Sequence, residues 1–238
     1  MEVKELEKMI REQEGSLSLT FPALMRKVYV WMALALALTG LTAYGIADNT
    51  NLAFTLIGNR ALFWGIAIAE FALVMFLTAR IRKMSLTTAT LSFLLYSVLN
   101  GVTMSVIFLA FTASSIATTF YITAGTFGIM AFYGYVTKAD LSKLGSILRM
   151  ALLGLIVALV VNIFMRNSMF DLVISAVGVL IFTGLTAYDS QKIKTALAMQ
   201  EHPDETAQKV ALLGALTLYL DFINLFIYLL RFFGRSNN

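Results

Sequence analysis

The chain has no cysteine, one histidine and few charges, 13% of its 238 residues. The missing cysteine excludes a disulfide framework, a thiolate nucleophile and a sulfur-ligated metal. The lone histidine, His202, sits before Pro203 in a polar stretch, which excludes histidine-cluster metal chemistry and disfavours a serine–histidine protease within the apolar segments. The scarcity of charge, set against about a quarter in an ordinary soluble domain, excludes a water-soluble fold. What fills the chain instead is apolar, 59% of the residues. Seven spans of about 20 residues would use about 140 positions, and each would match a hydrocarbon slab of about 30 Å. Long unbroken runs such as Val28 to Ala47 exclude a transmembrane barrel, whose strands alternate apolar and polar side chains.

The formal charge of +4 reads as loop lysines and arginines of a membrane protein, with no nucleic-acid partner. Glu2, Glu5, Glu7, Glu12 and Glu14 crowd the opening segment, which therefore lacks the basic-then-apolar layout of a cleavable signal. Residues 1–27 read as a cytoplasmic amino-terminal tail. Val3, Leu6, Met9 and Ile10 fall at helical spacing, which fits a surface-lying amphipathic helix, although a solvated tail is the plainer reading. Residues 28–238 form one all-α membrane domain, with spans expected at 28–47, 61–79, 86–110, 116–136, 147–165, 169–189 and 209–233. No soluble domain fits in the connections, so function must lie in the bundle and its mouths.

With the amino terminus inside, the inner segments close to the spans hold nine basic residues, Arg26, Lys27, Arg80, Arg82, Lys83, Lys138, Lys143, Lys192 and Lys194. The outer ones hold four, Arg60, Arg166, Arg231 and Arg235. The bias favours a cytoplasmic amino terminus, with Arg231 and Arg235 as a mild exception.

Charges inside apolar runs are expensive unless they face the interior, water or a partner. Four carboxyls qualify: Glu70, Asp171, Asp189 and Asp221. Asp171 reads as an interfacial or helix N-terminal acid. Glu70 lies midway along the second span and needs an interior partner or a proton; a buried hydrogen bond and an ion-pathway role explain it equally well. In the last span Gly214, Thr217, Asp221, Asn224, Tyr228 and Arg231 share one face. This face predicts an inward polar seam, with Leu, Ile and Phe turned toward neighbours or lipid. A packing seam explains Gly214 and Thr217, but it does not explain an aspartate. Asp189 follows Ser175, Gly178, Phe182 and Thr186 along the sixth span. The sixth and seventh spans should run antiparallel, so Asp189 and Asp221 can meet if the last helix begins in water before Gly214 or if water reaches deep. Ser92, Tyr96, Asn100 and Thr103 repeat the pattern in the third span, and Thr119, Thr123 and Thr126 in the fourth; interhelical hydrogen bonds are the plainer account of both.

The stretch Tyr219-Leu-Asp-Phe-Ile-Asn-Leu-Phe-Ile-Tyr-Leu-Leu-Arg-Phe-Phe-Gly234 resembles the signature last helix of the transmembrane Bax inhibitor motif family. Thr186-Ala-Tyr-Asp-Ser-Gln-Lys-Ile193 resembles its sixth-helix motif, and the span count covers the chain after about residue 20. The short tail and compact loops are similar to bacterial members. The resemblance implies a seven-helix bundle with the last helix surrounded by the other six, in the bacterial cytoplasmic (inner) membrane. It implies a non-enzymatic, pH-sensitive calcium leak, without cofactor and with calcium as the transported ion. The family's aspartate pair falls on Asp189 and Asp221. Its latch, an arginine of the second span, falls on Arg80 or Arg82. Glu70 coincides with an acidic position of bacterial relatives, and Glu70, Asn100 and Asn224 are candidates for the ion pathway.

Two carboxyls in one poorly solvated site cannot both ionise cheaply, so they share a proton. On this reading the shared proton and a nearby arginine hold the sixth and seventh helices closed, and its loss opens them. Two unit charges at roughly 4 Å and an effective dielectric near 20 repel by about 4 kcal/mol, comparable with the gap between two conformers. The same carboxylates are hard oxygen ligands for weakly held calcium, as conduction requires. An intramembrane aspartyl protease also needs two aspartates on neighbouring helices, and Tyr188-Asp189 resembles its first motif. The second motif fails, because Leu218-Tyr219-Leu220 precedes Asp221 where Gly-x-Gly is required, and the prolines are only Pro22 and Pro203. A non-conducting regulator of membrane proteases or other membrane proteins is the main alternative; a proton-coupled transporter has no evident inverted repeat to support it.

Overall fold

A computed structural model describes residues 3–200 and 202–235, with side chains from residue 21 onward. The expected amphipathic face of Val3, Leu6, Met9 and Ile10 lies outside the described side chains. The fold is all-α: α1 Val3–Asp48, α2 Thr50–Gly58, α3 Arg60–Arg80, α4 Leu86–Ala110, α5 Ala113–Val136, α6 Ser142–Met165, α7 Ser168–Ala198 and α8 Glu205–Phe233. Seven of these are long and apolar enough to cross a membrane, the first over Phe21–Asp48.

Polar residues just outside the apolar runs set the helix starts. Asn49, Asn59, Ser85, Thr112, Asn167 and Asp204 each accept, through a side-chain oxygen, a backbone N–H of the helix that follows. The caps coincide with starts one to four residues before the predicted windows for α3, α5, α7 and α8, whereas α4 starts at 86 as predicted and α6 starts at Ser142, five residues early, without a side-chain cap. The connection between Asp48 and Arg60 contains the short helix α2. The long connection expected over 190–208 contracts to residues 199–204, because α7 continues nine residues past Asp189 and α8 starts at Glu205.

The last helix is central. It packs against α1, α4, α5 and α7, while α3 lies on α4 and α6 on α7. The expected ring of six neighbours is thus two-layered, with α3 and α6 outside the inner shell. Burial follows this order. Leu77 is the one buried residue of α3 and Gly145 and Leu155 those of α6, whereas α8 buries sixteen of its twenty-nine residues. The Leu and Phe face of α8 therefore meets helices, with Leu216, Leu218, Leu225 and Leu230 all in the core, and does not form a lipid surface.

Candidate functional site: an aspartate pair between α7 and α8

The α7–α8 hairpin has a readable register. A Cβ on Gly214 would fall 2.9 Å from the Ile193 side chain, and one on Gly178 would enter the Tyr228 ring. These contacts put the polar seam of α8 against α7, and both are close approaches that only glycine permits. They also place residues 217 and 218 opposite Asp189. Asp221 then lies three to four residues further along, about 5 Å at 1.5 Å per residue. The side chains of the two aspartates interact electrostatically. α8 begins nine residues before Gly214, with Asp204 and Glu205 exposed.

The two carboxyls differ in surroundings. Asp221 is 5% exposed, and its Oδ2 is buried without a hydrogen-bond partner. Such an atom costs about 1–3 kcal/mol. Asp189 is half-buried, and the cations acting on it are Arg149 of α6 and Lys192 of α7. Tyr188 carries both: the Arg149 guanidinium lies 5.3 Å and the Lys192 ammonium 6.0 Å from its ring centre. Gly145 of α6 leaves the space into which the Tyr188 ring fits. The α7 turn bearing Asp189 is anchored on α5 and the following loop. Ser190 donates to the Ala131 carbonyl at 2.7 Å, Lys194 to the Tyr135 carbonyl at 2.7 Å and Gln191 to the Ala139 carbonyl at 2.7 Å. Asp189 thus stands on an element held against α5 and faces the central helix α8.

Arg80 and Arg82 lie exposed at the end of α3 and in the turn after it, and neither forms an ion pair among the described residues. Arg149, absent from the sequence reading, takes the place beside Asp189. Its signal in the sequence is a charge three residues into the span expected over 147–165.

Glu70 and Asn100 are brought together: the Asn100 amide and the Thr103 hydroxyl both donate to the Glu70 carboxyl, Thr103 at 2.9 Å. Tyr219 of α8 joins them, its hydroxyl 2.9 Å from Asn100 Oδ1. Asn224 donates to the Leu220 carbonyl of its own helix at 2.8 Å and joins neither group. Thr123, Ser175, Thr186 and Thr217 likewise donate to carbonyls one turn back. Asp171 stands in the first turn of α7, where it pairs with Arg231 and accepts from Asn162 at 3.2 Å. Among the described residues no group of three or more His, Asp or Glu side chains is assembled for a metal.

The profile of the family described as "Inhibitor of apoptosis-promoting Bax1" matches residues 22–238. The inner membrane protein YbhL of Escherichia coli K12 is 46% identical over 211 residues, covering 88% of this chain and 90% of that protein. A Borreliella burgdorferi protein is 45% identical over 214 residues, covering 90% of this chain and 92% of its own length. One from Deinococcus radiodurans is 39% identical over 229 residues, covering 96% and 97%. A central polar last helix, seven spans and near full-length similarity agree: the chain belongs to the Bax inhibitor-like family of multi-pass integral membrane proteins.

Proposed function

We propose that this protein is a pH-sensitive calcium leak of a bacterial inner membrane, gated by a proton shared between Asp189 and Asp221. The observation that carries the reading is the placement of two carboxyls one turn apart across an antiparallel hairpin, one of them sealed in the core with an oxygen that no protein group satisfies. Asp221 is buried, so on this reading the arrangement described here corresponds to the closed state. One proton lets the two carboxyls approach; with the proton lost, both charges repel by a few kcal/mol in a poorly solvated site. That is enough to shift a two-conformer equilibrium. Flux is therefore low at acidic pH and rises as pH increases through the titration of the pair.

The sealed α7–α8 contact lies toward the hairpin end, which the positive-inside count assigns to the cytoplasm. Arg149 and Lys192 flank the mouth there, and a cavity of about 400 Å3 bordered by Asp140, Tyr188 and Lys192 opens beside them. Two carboxylates without a third acid make a weak calcium seat, suited to passage. Purified protein in liposomes loaded with a calcium dye tests conduction. The expected result is influx that rises with pH. No flux at any pH would favour a non-conducting regulator.

A further inference from the structure

Both α1 and α5 pack on α8, yet they make no extended contact with each other. Each is held from its other side. Gly101 of α4 meets the Thr39 carbonyl and the Thr42 side chain of α1 with no room for a Cβ. On α5 the Ala131 carbonyl accepts from Ser190 of α7, and the Phe127 ring lies 5.4 Å from that of Phe222 of α8. The seam left between α1 and α5 holds two cavities, of about 520 and 540 Å3, within the range of about 300–1,000 Å3 that small-molecule sites occupy.

The two cavities differ in charge. The one nearer the start of α1 runs from Pro22 to Met32 along that helix and is walled on the other side by Phe127, Gly128, Ala131 and Phe132 of α5. Arg26 lines it toward the Pro22 end, and no carboxyl lines it. Arg26 is exposed and forms no ion pair among the described residues. A second cation stands beside the same end: the Lys194 ammonium lies 5.4 Å from the ring centre of Tyr135, which borders the cavity and stacks on Phe21. The other cavity borders on Asp48 and is lined by no lysine or arginine.

The depth of the basic cavity matches one leaflet. Ten residues from Pro22 to Met32 rise about 15 Å at 1.5 Å per residue, half of a slab of about 30 Å. Gly128 and Phe132 are exposed, so the cavity opens sideways on the outer surface of the bundle, which in a membrane meets lipid. A Cβ on Gly128 would have no atom within 4 Å. The strip around this glycine is therefore left unfilled by the chain itself.

We propose that this groove seats one anionic phospholipid, its phosphate on Arg26 and one acyl chain laid between α1 and α5 as far as Met32. A guanidinium meets phosphate oxygens through two parallel N–H bonds, which an ammonium cannot reproduce. Lys194 adds positive potential at the same end, and no carboxylate in the lining opposes the head group. The acyl chain covers the apolar strip beside Gly128. An anionic lipid does not suit the cavity at Asp48, so the seam takes it at the Arg26 end.

Native mass spectrometry reads the lipid that stays on the full chain after reconstitution in vesicles of equal phosphatidylglycerol and phosphatidylcholine and release in mild detergent. The expected spectrum holds one phosphatidylglycerol per chain, favoured over phosphatidylcholine by about fivefold or more. Arg26→Gln should lower that preference about fivefold. Gly128→Leu, whose side chain enters open space and blocks the groove, should remove the retained lipid. Gly154→Leu is the control, since Gly154 lies exposed on α6 with equally open surroundings, and it should retain lipid as the wild type does. No retained lipid in the wild type, equal retention of the two lipids, or an unchanged preference in Arg26→Gln overturns the anionic site. Wild-type retention in Gly128→Leu, or an equal loss in Gly154→Leu that marks boundary lipid, overturns the groove.

Discussion

Asp221 is an expensive residue in its present place, because a hydrophobic side chain of similar size would bury as well without an unsatisfied oxygen. The cost has a use if the neighbouring Asp189 makes the pair a proton switch. Asp189 is the tunable half, since it is half-buried and Arg149 and Lys192 act on it. Removing a nearby positive charge favours the protonated pair. Arg149→Gln should therefore move the midpoint of pH-dependent calcium flux to higher pH, by up to about one unit. The resemblance assigns the latch to Arg80 or Arg82, whereas the structure leaves both exposed. Arg80→Gln and Arg82→Gln should keep the wild-type midpoint. A shift in either of these, with none in Arg149→Gln, would return the latch to the second span. Arg149 could not be placed beside Asp189 from the sequence because a helix from outside the inner shell brings it there, an arrangement that no local pattern encodes.

At the scale of the helices, lengths and contacts explain how the pair is held. The 31 residues of α7 and 29 of α8 span about 45 Å at 1.5 Å per residue, against a slab of about 30 Å. Both are longer than that slab is thick, and Asp189 lies nine residues from the end of α7. Apolar run length made the spans legible but not their ends, which depend on caps and on polar turns that continue into water. The seam on α8 was legible from its spacing; the Thr217 hydroxyl and the Asn224 amide, however, bond their own helix, so spacing alone overstated the polar lining. What fixes α7 is its contact with α5, where Gly134 lies directly against the Ala187 carbonyl. Backbone cannot yield there as a flexible side chain would. Gly134→Ala should lower stability by about 1–3 kcal/mol, read as earlier thermal unfolding in detergent. Wild-type stability would mean that α5 and α7 are less tightly apposed.

Over the whole molecule, seven spans, a central last helix and family membership were readable from composition, run length and two motifs. The division into inner and outer helices was not, because α3 and α6 are as apolar as their neighbours. Apolarity marks burial in lipid and in protein alike. The network that ties Glu70 to Thr39 was only half legible, since the spacing on α4 singles out Asn100 while the groups it bonds arrive from α3 and α8 and Thr39 joins through Tyr219. The account as a whole rests on one proton serving two aspartates. The direct measurement is the pH titration of calcium flux in liposomes for Asp189→Asn, Asp221→Asn and the double variant. A shared proton predicts that either substitution removes the same titration step and that the double variant loses nothing further. An unchanged titration in Asp221→Asn, or separate effects that add in the double variant, would contradict it.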